Sequence, residues 1–266
     1  MAVDEAILRQ VSLGLSPPTL RLYAWSPPCL SLGRSQPLSD ADLERLRQRG
    51  WELVRRPTGG RAILHTDELT YSVIAPASNP HVSGGVLASY RHLSHGLCAG
   101  LARLGVHVEI HPEVQLSRSQ RQDPVCFEVP SAYEITVQGR KLVGSAQLRR
   151  VRGVLQHGTI PLRGDLGRIC QVLNFPDKLA RDLAAQNLRA RAATLEELLG
   201  RPVPWEEAAQ AIAAGFAESL NLNLETGALS AEEEDLAGRL MEEHYALTAL
   251  SPSAAPPNLA SPSEAD

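Results

Sequence analysis

Apolar residues recur at spacings of three and four at Val86, Tyr90, Leu93, Leu97, Leu101 and Leu104. That period predicts an amphipathic helix over 86–104, closed by Gly105. The same reasoning predicts helices over 4–13, 40–49 (capped by Ser39 or Asp40 and stopped by Gly50), 177–200, 205–220 and 230–245. Shorter runs read as strands: 20–25 and 29–33 around Pro27-Pro28, then 52–56 and 61–65 as a hairpin about Pro57-Thr58-Gly59-Gly60, then 69–75 and 106–110. A later group covers 132–137, 140–148 and 154–162, with Gln138-Gly139 and Gly153 at the turns. Strands crowd the first 160 residues and helices follow, so the expected class is α+β, a mixed sheet flanked by helices. Residues 1–246 read as one catalytic domain. The proline-bearing stretch 247–266 reads as a disordered tail.

The 266 residues are 43% hydrophobic and 21% charged, an ordinary globular balance that excludes a disordered or collagen-like chain. A net charge of −4 gives no reason to expect wholesale nucleic-acid binding. No apolar run is long enough for a membrane span, and the acidic start MAVDEAILRQ does not read as a signal peptide. Four irregularly spaced cysteines, Cys29, Cys98, Cys126 and Cys170, read as thiols of a cytoplasmic protein. One count stands out. Of 26 basic residues only Lys141 and Lys178 are lysine; the rest are arginine. Lysine can lose its proton when buried and arginine cannot, so Lys141 becomes a candidate for a role arginine would not fill.

Three segments carry candidate chemistry. In Arg55-Arg56-Pro57-Thr58-Gly59-Gly60-Arg61, two glycines let backbone amides approach a ligand and three arginines add cationic donors, suited to a carboxylate, a phosphate or the rim of an acyl pocket. A tight turn with solvated charges would look the same. In Arg140–Gln147, strand alternation places Lys141, Val143, Ser145 and Gln147 on one face, able to line a cleft. Gly144 and Ala146 fall on the other, leaving room behind. Cys126 lies between Pro124 and Pro130, a loop setting in which a thiol can react if a nearby cation holds the thiolate. Lys141 is the candidate cation, although the hairpin alone leaves it opposite Thr136, ten residues from Cys126. His65 and His157 are site residues or satisfied core histidines. His92, His95 and Cys98 share a helix face but lack a further metal-ligand set.

The strings DEAIL, LRLYAWSPPCLSLGRSQ (20–36), RRPTGGRAILHTDELTYSV (55–73), CFEVPSAYEITVQGRKLVGSAQLRR and VLQHGTIPL (126–162) together resemble the lipoate–protein ligase and octanoyltransferase superfamily, relatives of biotin–protein ligases. Within it the chain is most similar to octanoyltransferases that load the glycine cleavage H protein. The resemblance spans residues 1–245 and implies the biotin/lipoate ligase catalytic fold. It implies that Cys126, fifteen positions before Lys141, carries an acyl thioester, and that Lys141 favours the thiolate and moves a proton. Ligases of the superfamily carry an Asn-Asp type loop in place of the cysteine. The implied acyl-binding set is Arg56, Thr58, Gly59, Gly60, Arg61, His65, Gly144, Ser145, Ala146, His157 and Gly158. Thr159 stands where the family usually has serine, which keeps the hydroxyl. The implied partners are an acyl carrier protein as donor and a lipoyl-domain protein as acceptor, served by a monomer without cofactor or metal. Three alternatives stay open: an ATP- and magnesium-dependent lipoate ligase without its accessory domain, an amidotransferase between lipoyl domains, and a non-catalytic module that binds an acyl carrier. Arg149, Arg150 and Arg152 could dock an acidic carrier or form a solvated strand end.

Overall fold

The computed structural model describes residues 1–111 and 134–246; the expectations for Cys126 and for a tail over 247–266 lie outside them. In chain order the strands are β1 Thr19–Tyr23, β2 Cys29–Leu32, β3 Glu52–Arg55, β4 Ile63–His65, β5 Glu68–Pro76, β6 Glu109–His111, β7 Glu134–Val137, β8 Arg140–Arg149 and β9 Gly153–Pro161. The helices are α1 Ala2–Leu13, α2 Leu43–Gln48, α3 Val86–Arg103, α4 Lys178–Arg191, α5 Leu195–Leu199, α6 Trp205–Ser219 and α7 Ala231–Leu240. An antiparallel six-stranded sheet runs β1-β5-β9-β8-β7-β6, and a three-stranded sheet runs β3-β2-β4. The α+β class with a sheet flanked by helices is what the structure has.

The expected hairpin about Pro57–Gly60 is not one. β3 pairs in parallel with β2, β4 pairs antiparallel with β2, and β2 lies between them. The reason is in β2 itself: Cys29, Leu30, Ser31 and Leu32 are all buried, so this strand needs cover on both faces and belongs in the middle. Residues 56–62 therefore bridge two edge strands over the end of a third. The segment 69–75, read as following on from that hairpin, instead enters the large sheet as β5.

Other boundaries also moved. Asp42, not Ser39 or Asp40, caps α2, its carboxylate accepting from the Arg45 amide, and Leu38–Asp40 is a separate 3-10 turn. Of the expected 106–110 strand only Glu109 and Ile110 pair, and the strand runs on to His111. The helix expected over 177–200 breaks between Arg191 and Leu195. There Ala192 pairs beside Lys141 and the Ala193 amide donates to the Lys141 carbonyl at 3.0 Å, so a strand contact competes with helix continuation and wins. Thr194 then caps α5. The last helix stops at Leu240, beyond which Met241–Tyr245 form a wider π turn.

The main core packs the large sheet against α3 and α6 through Leu93, Leu97, Leu101, Ile212 and Phe216. A second core joins the small sheet to α4 and the 3-10 turn Leu166–Gln171 through Leu30, Leu32, Ile169 and Leu188. α1 seals the remaining face of the large sheet, burying Ile7, Leu8 and Val11 against Ile74 and Leu155.

Candidate active site

A cavity of about 330 Å³ opens where the two sheets meet. The 56–65 segment contributes Arg56, Gly59, Gly60, Arg61, Ile63 and His65 to its wall. β8 contributes Lys141, Gly144, Ser145, Ala146 and Gln147, and β9 contributes His157, Gly158 and Thr159. Val86, Leu87 and Tyr90 from the first turns of α3 complete an apolar side, with Val86 and Leu87 still 48% and 41% exposed. Thr58 stands behind the wall and binds His157. The one-faced cleft read from strand alternation needs correction. Val143 packs into the main core, and the cavity borders residues from both faces of β8. Gly144 and Ala146 have too little side chain to close the far face.

Two glycines permit the walls to meet. A Cβ on Gly33 would stand 1.9 Å from the Gly60 carbonyl oxygen, so the turn after β2 admits the glycine loop only without a side chain. A Cβ on Gly158 would meet the Gly144 carbonyl at 2.4 Å and Tyr71 at 2.6 Å. That gap lets the Tyr71 hydroxyl sit 2.7 Å from Ser145 Oγ while Gln156 donates to it at 3.1 Å. Burial pushes the Tyr71 phenol up to about 12, so it stays a neutral positioner of Ser145.

Both histidines are buried and both have partners. His157 Nε2 lies 2.6 Å from Thr58 Oγ1, and its Nδ1 faces Asp4 Oδ2 at 4.0 Å, an ion-pair separation longer than a hydrogen bond. Burial lowers the His157 pKa, and the Asp4 carboxylate opposes only part of that. Burial works to raise the Asp4 pKa, but His157 and Arg21 outweigh it and hold the carboxyl below its ordinary range. Asp4 is fully buried and accepts from Arg21 (2.9 Å), Tyr23 (2.8 Å) and Ser72 (3.0 Å). His65 bonds Glu68 Oε1 through Nδ1 at 2.5 Å and Ser31 Oγ through Nε2 at 2.8 Å. Glu68 also accepts from Thr70 at 2.6 Å and from Thr159, so the hydroxyl at position 159 is used. Trp25 stacks on His65 with centroids 4.3 Å apart.

Lys141 is only 3% exposed, in the cavity wall, with its backbone tied to Ala192-Ala193. Thr136 is its partner across the turn, as the hairpin register predicts. The other described thiols are poor nucleophiles: burial pushes Cys29 up to about 12 and Cys98 up to about 11, and Cys170 is buried. His92 pairs with His81 at 2.8 Å, and among the described residues no group of three His, Cys, Asp or Glu is placed to hold a metal ion. Arg149 turns inward to Val82, Ser89 and Gln147, and Arg150 reaches Glu5 at 3.4 Å; Arg152 remains exposed. No helix among the described residues is long and apolar enough to cross a membrane.

Sequence reasoning passed over Asp4, Ser31, Glu68 and Tyr71. A signal existed for Asp4. It falls at the head of the 4, 8, 11 stripe that carries Leu8 and Val11, and an acid on an apolar stripe is buried beside a partner or not at all.

Residues 1–217 match the family model described as the lipoyl protein ligase A/B catalytic domain. The octanoyltransferase LipM of Kyrpidia tusciae is 45% identical over 250 residues, 92% of this chain and 91% of the relative. That of Symbiobacterium thermophilum is 45% identical over 251 residues, covering 92% and 90%. Among solved structures, a bi-partite lipoate protein ligase from Thermoplasma acidophilum, studied with its E2 lipoyl domain, superposes with a TM-score of 0.75 at 25% identity, covering 91% of this chain and 86% of that one. A lipoate-protein ligase A bound with ATP gives 0.72 at 25% identity, covering 91% and 88%.

Proposed function

Because the chain belongs to the lipoyl protein ligase A/B catalytic domain family, we propose that its cavity holds an eight-carbon acyl group and that it works as a protein octanoyltransferase of lipoate assembly. The donor is an octanoyl thioester on an acyl carrier protein, and the acceptor is a lysine of a lipoyl-domain protein such as the glycine cleavage H protein. The observation that carries this reading is the placement of Lys141. It is buried in the wall of a cavity whose other walls come from the Arg56–His65 segment and from His157-Gly158.

The chemistry proceeds in two exchanges. The Cys126 thiolate adds to the thioester carbonyl and the bond to the carrier sulfur breaks; the leaving thiolate takes a proton from the Lys141 ammonium, giving an acyl-enzyme thioester and a neutral Lys141. The acceptor lysine, as the neutral amine, then attacks the same carbonyl. The amide bond forms, the Cys126 thiolate departs, and the surplus proton of the amine passes to Lys141 or water. One thioester replaces another in the first exchange and an amide replaces a thioester in the second, so the reaction runs downhill without ATP. Each methylene buried from water adds about 0.8 kcal/mol, so the depth of the cavity measures chain length.

The test is intact-mass measurement after mixing the protein with octanoyl-carrier protein. A gain of one octanoyl group, lost on adding a lipoyl-domain acceptor, is expected. Turnover only with ATP and free lipoate, and no adduct, would move the reading to a ligase. An adduct formed only from an octanoylated lipoyl domain would move it to an amidotransferase.

A further inference from the structure

Two of the three arginines around the glycine loop are spent on the protein itself. Arg55 donates to the carbonyls of Gly33 at 2.9 Å and Gln36 at 2.5 Å. Arg56, only 3% exposed, donates to the carbonyls of Ser31 (3.1 Å), Gly59 (2.9 Å) and Arg61 (2.6 Å), and so clamps the loop from inside. Arg61 differs. Its carbonyl is held by Arg56, which fixes where its side chain leaves the loop, yet its half-buried guanidinium makes no hydrogen bond or ion pair with any described residue. The exposed amides of Gly59 and Gly60 also donate to no described residue, and Gly60 has a φ of +94°. All three residues border the cavity that Lys141 borders.

A guanidinium and two consecutive amides left unpaired among the described residues make an arrangement for an anion. The planar fork matches two phosphate oxygens, and successive backbone N–H groups cradle a third. We propose that Arg61, with the amides of Gly59 and Gly60, binds the phosphate of the donor's pantetheine arm. This rests on the transferase reading, since a carrier-bound thioester reaches Lys141 on such an arm and passes the loop as it enters. The site selects acyl groups delivered on a phosphorylated arm over the same thioester on an uncharged one.

Octanoyl-phosphopantetheine and octanoyl-pantetheine differ only in the phosphate, so acylation of the full chain is measured with each. The wild type is expected to show a KM at least about tenfold lower for the phosphorylated donor. Arg61→Ala should shrink that advantage to less than about twofold, and Arg61→Lys should keep part of it. A wild type indifferent to the phosphate, or an Arg61→Ala variant that keeps the preference, overturns the proposal. So does a loss confined to intact octanoyl-carrier protein, which would assign Arg61 to carboxylates on the carrier surface. Calorimetric titration with phosphopantetheine alone separates this inference from its premise. Arg61-dependent binding in a protein that no octanoyl thioester acylates would sink the transferase and keep the anion site. Acylation without Arg61-dependent binding would do the reverse.

Discussion

Thr58 Oγ1 and His157 Nε2 lie 2.6 Å apart, although 99 positions separate them, and this bond fastens the glycine loop to the central strands of the large sheet. With Thr58 donating its hydroxyl, the imidazole proton sits on Nδ1, toward Asp4. The histidine is thus a neutral spacer between a buried carboxylate and the loop.

That neutrality has a pH signature. Burial holds the folded His157 pKa below the ordinary 6.5, so below that pH the unfolded chain binds the extra proton first. Stability from this group is present above about pH 6.5 and is lost as pH falls below it. Asp4, depressed from 3.8, adds a second loss at more acid pH. Urea unfolding at pH 7.5 and 5.5 should show a fall in stability with a slope of up to about 1.4 kcal/mol per pH unit for one proton. His157→Gln should flatten it. An unchanged slope in the variant would place the proton elsewhere.

Gly33→Ala tests the loop against its support. The added methyl collides with the Gly60 carbonyl backbone, which has no flexible tip to swing aside. We expect a normal far-ultraviolet circular dichroism spectrum and an acylation rate at least about a hundredfold lower, near 2.7 kcal/mol in the barrier. Gly238→Ala, at a half-buried position of α7 with nothing within 4 Å of its added methyl, is the control and should gain up to about 1 kcal/mol of stability. Equal damage from both would point to general misfolding.

Lys141 is tested by two replacements. Lys141→Met removes charge and proton carriage; Lys141→Arg keeps the charge and removes the practical proton exchange. Both should be impaired about a hundredfold or more in transfer, with the arginine variant still forming the acyl-enzyme and stalling before the amide. Rapid-quench separation of the two half-reactions reads this directly. An arginine variant with wild-type turnover would show that Lys141 moves no proton.

The cysteines should sort by labelling. Burial disfavours the thiolate at Cys29 and Cys98 and encloses Cys170, so iodoacetamide at pH 7.5 should modify Cys126 first. Prior loading with octanoyl-carrier protein should block that label, and Cys126→Ala should abolish acyl-enzyme formation. Peptide mapping that finds Cys29 or Cys98 labelled as fast would remove the grounds for a single nucleophile.

Local periodicity carried the fold a long way. The α3 stripe and the β7–β8 turn at Gln138-Gly139 are set by neighbours in sequence, and both stand close to where the pattern put them. The motif residues Arg56, Gly59-Gly60, Lys141 and Gly144–Ala146 were legible as types suited to a ligand, and they meet at one cavity. What local pattern could not reach were choices made by distant partners. β2 slips between β3 and β4 because its own burial demands it, and α4 ends because Ala192 finds Lys141. Asp4 is part of the site through contacts with Arg21, Tyr23, Ser72 and His157, and no window around position 4 contains any of them.

The cavity lies along a seam between two separately packed cores, one on the six-stranded sheet and one on the three-stranded sheet. Its walls come from both sheets but from neither core, so an acyl chain there would bridge the two sheets without displacing a core side chain. A chain bound between the sheets is held only by the folded protein, so loading should raise the resistance of both to unfolding by mass action.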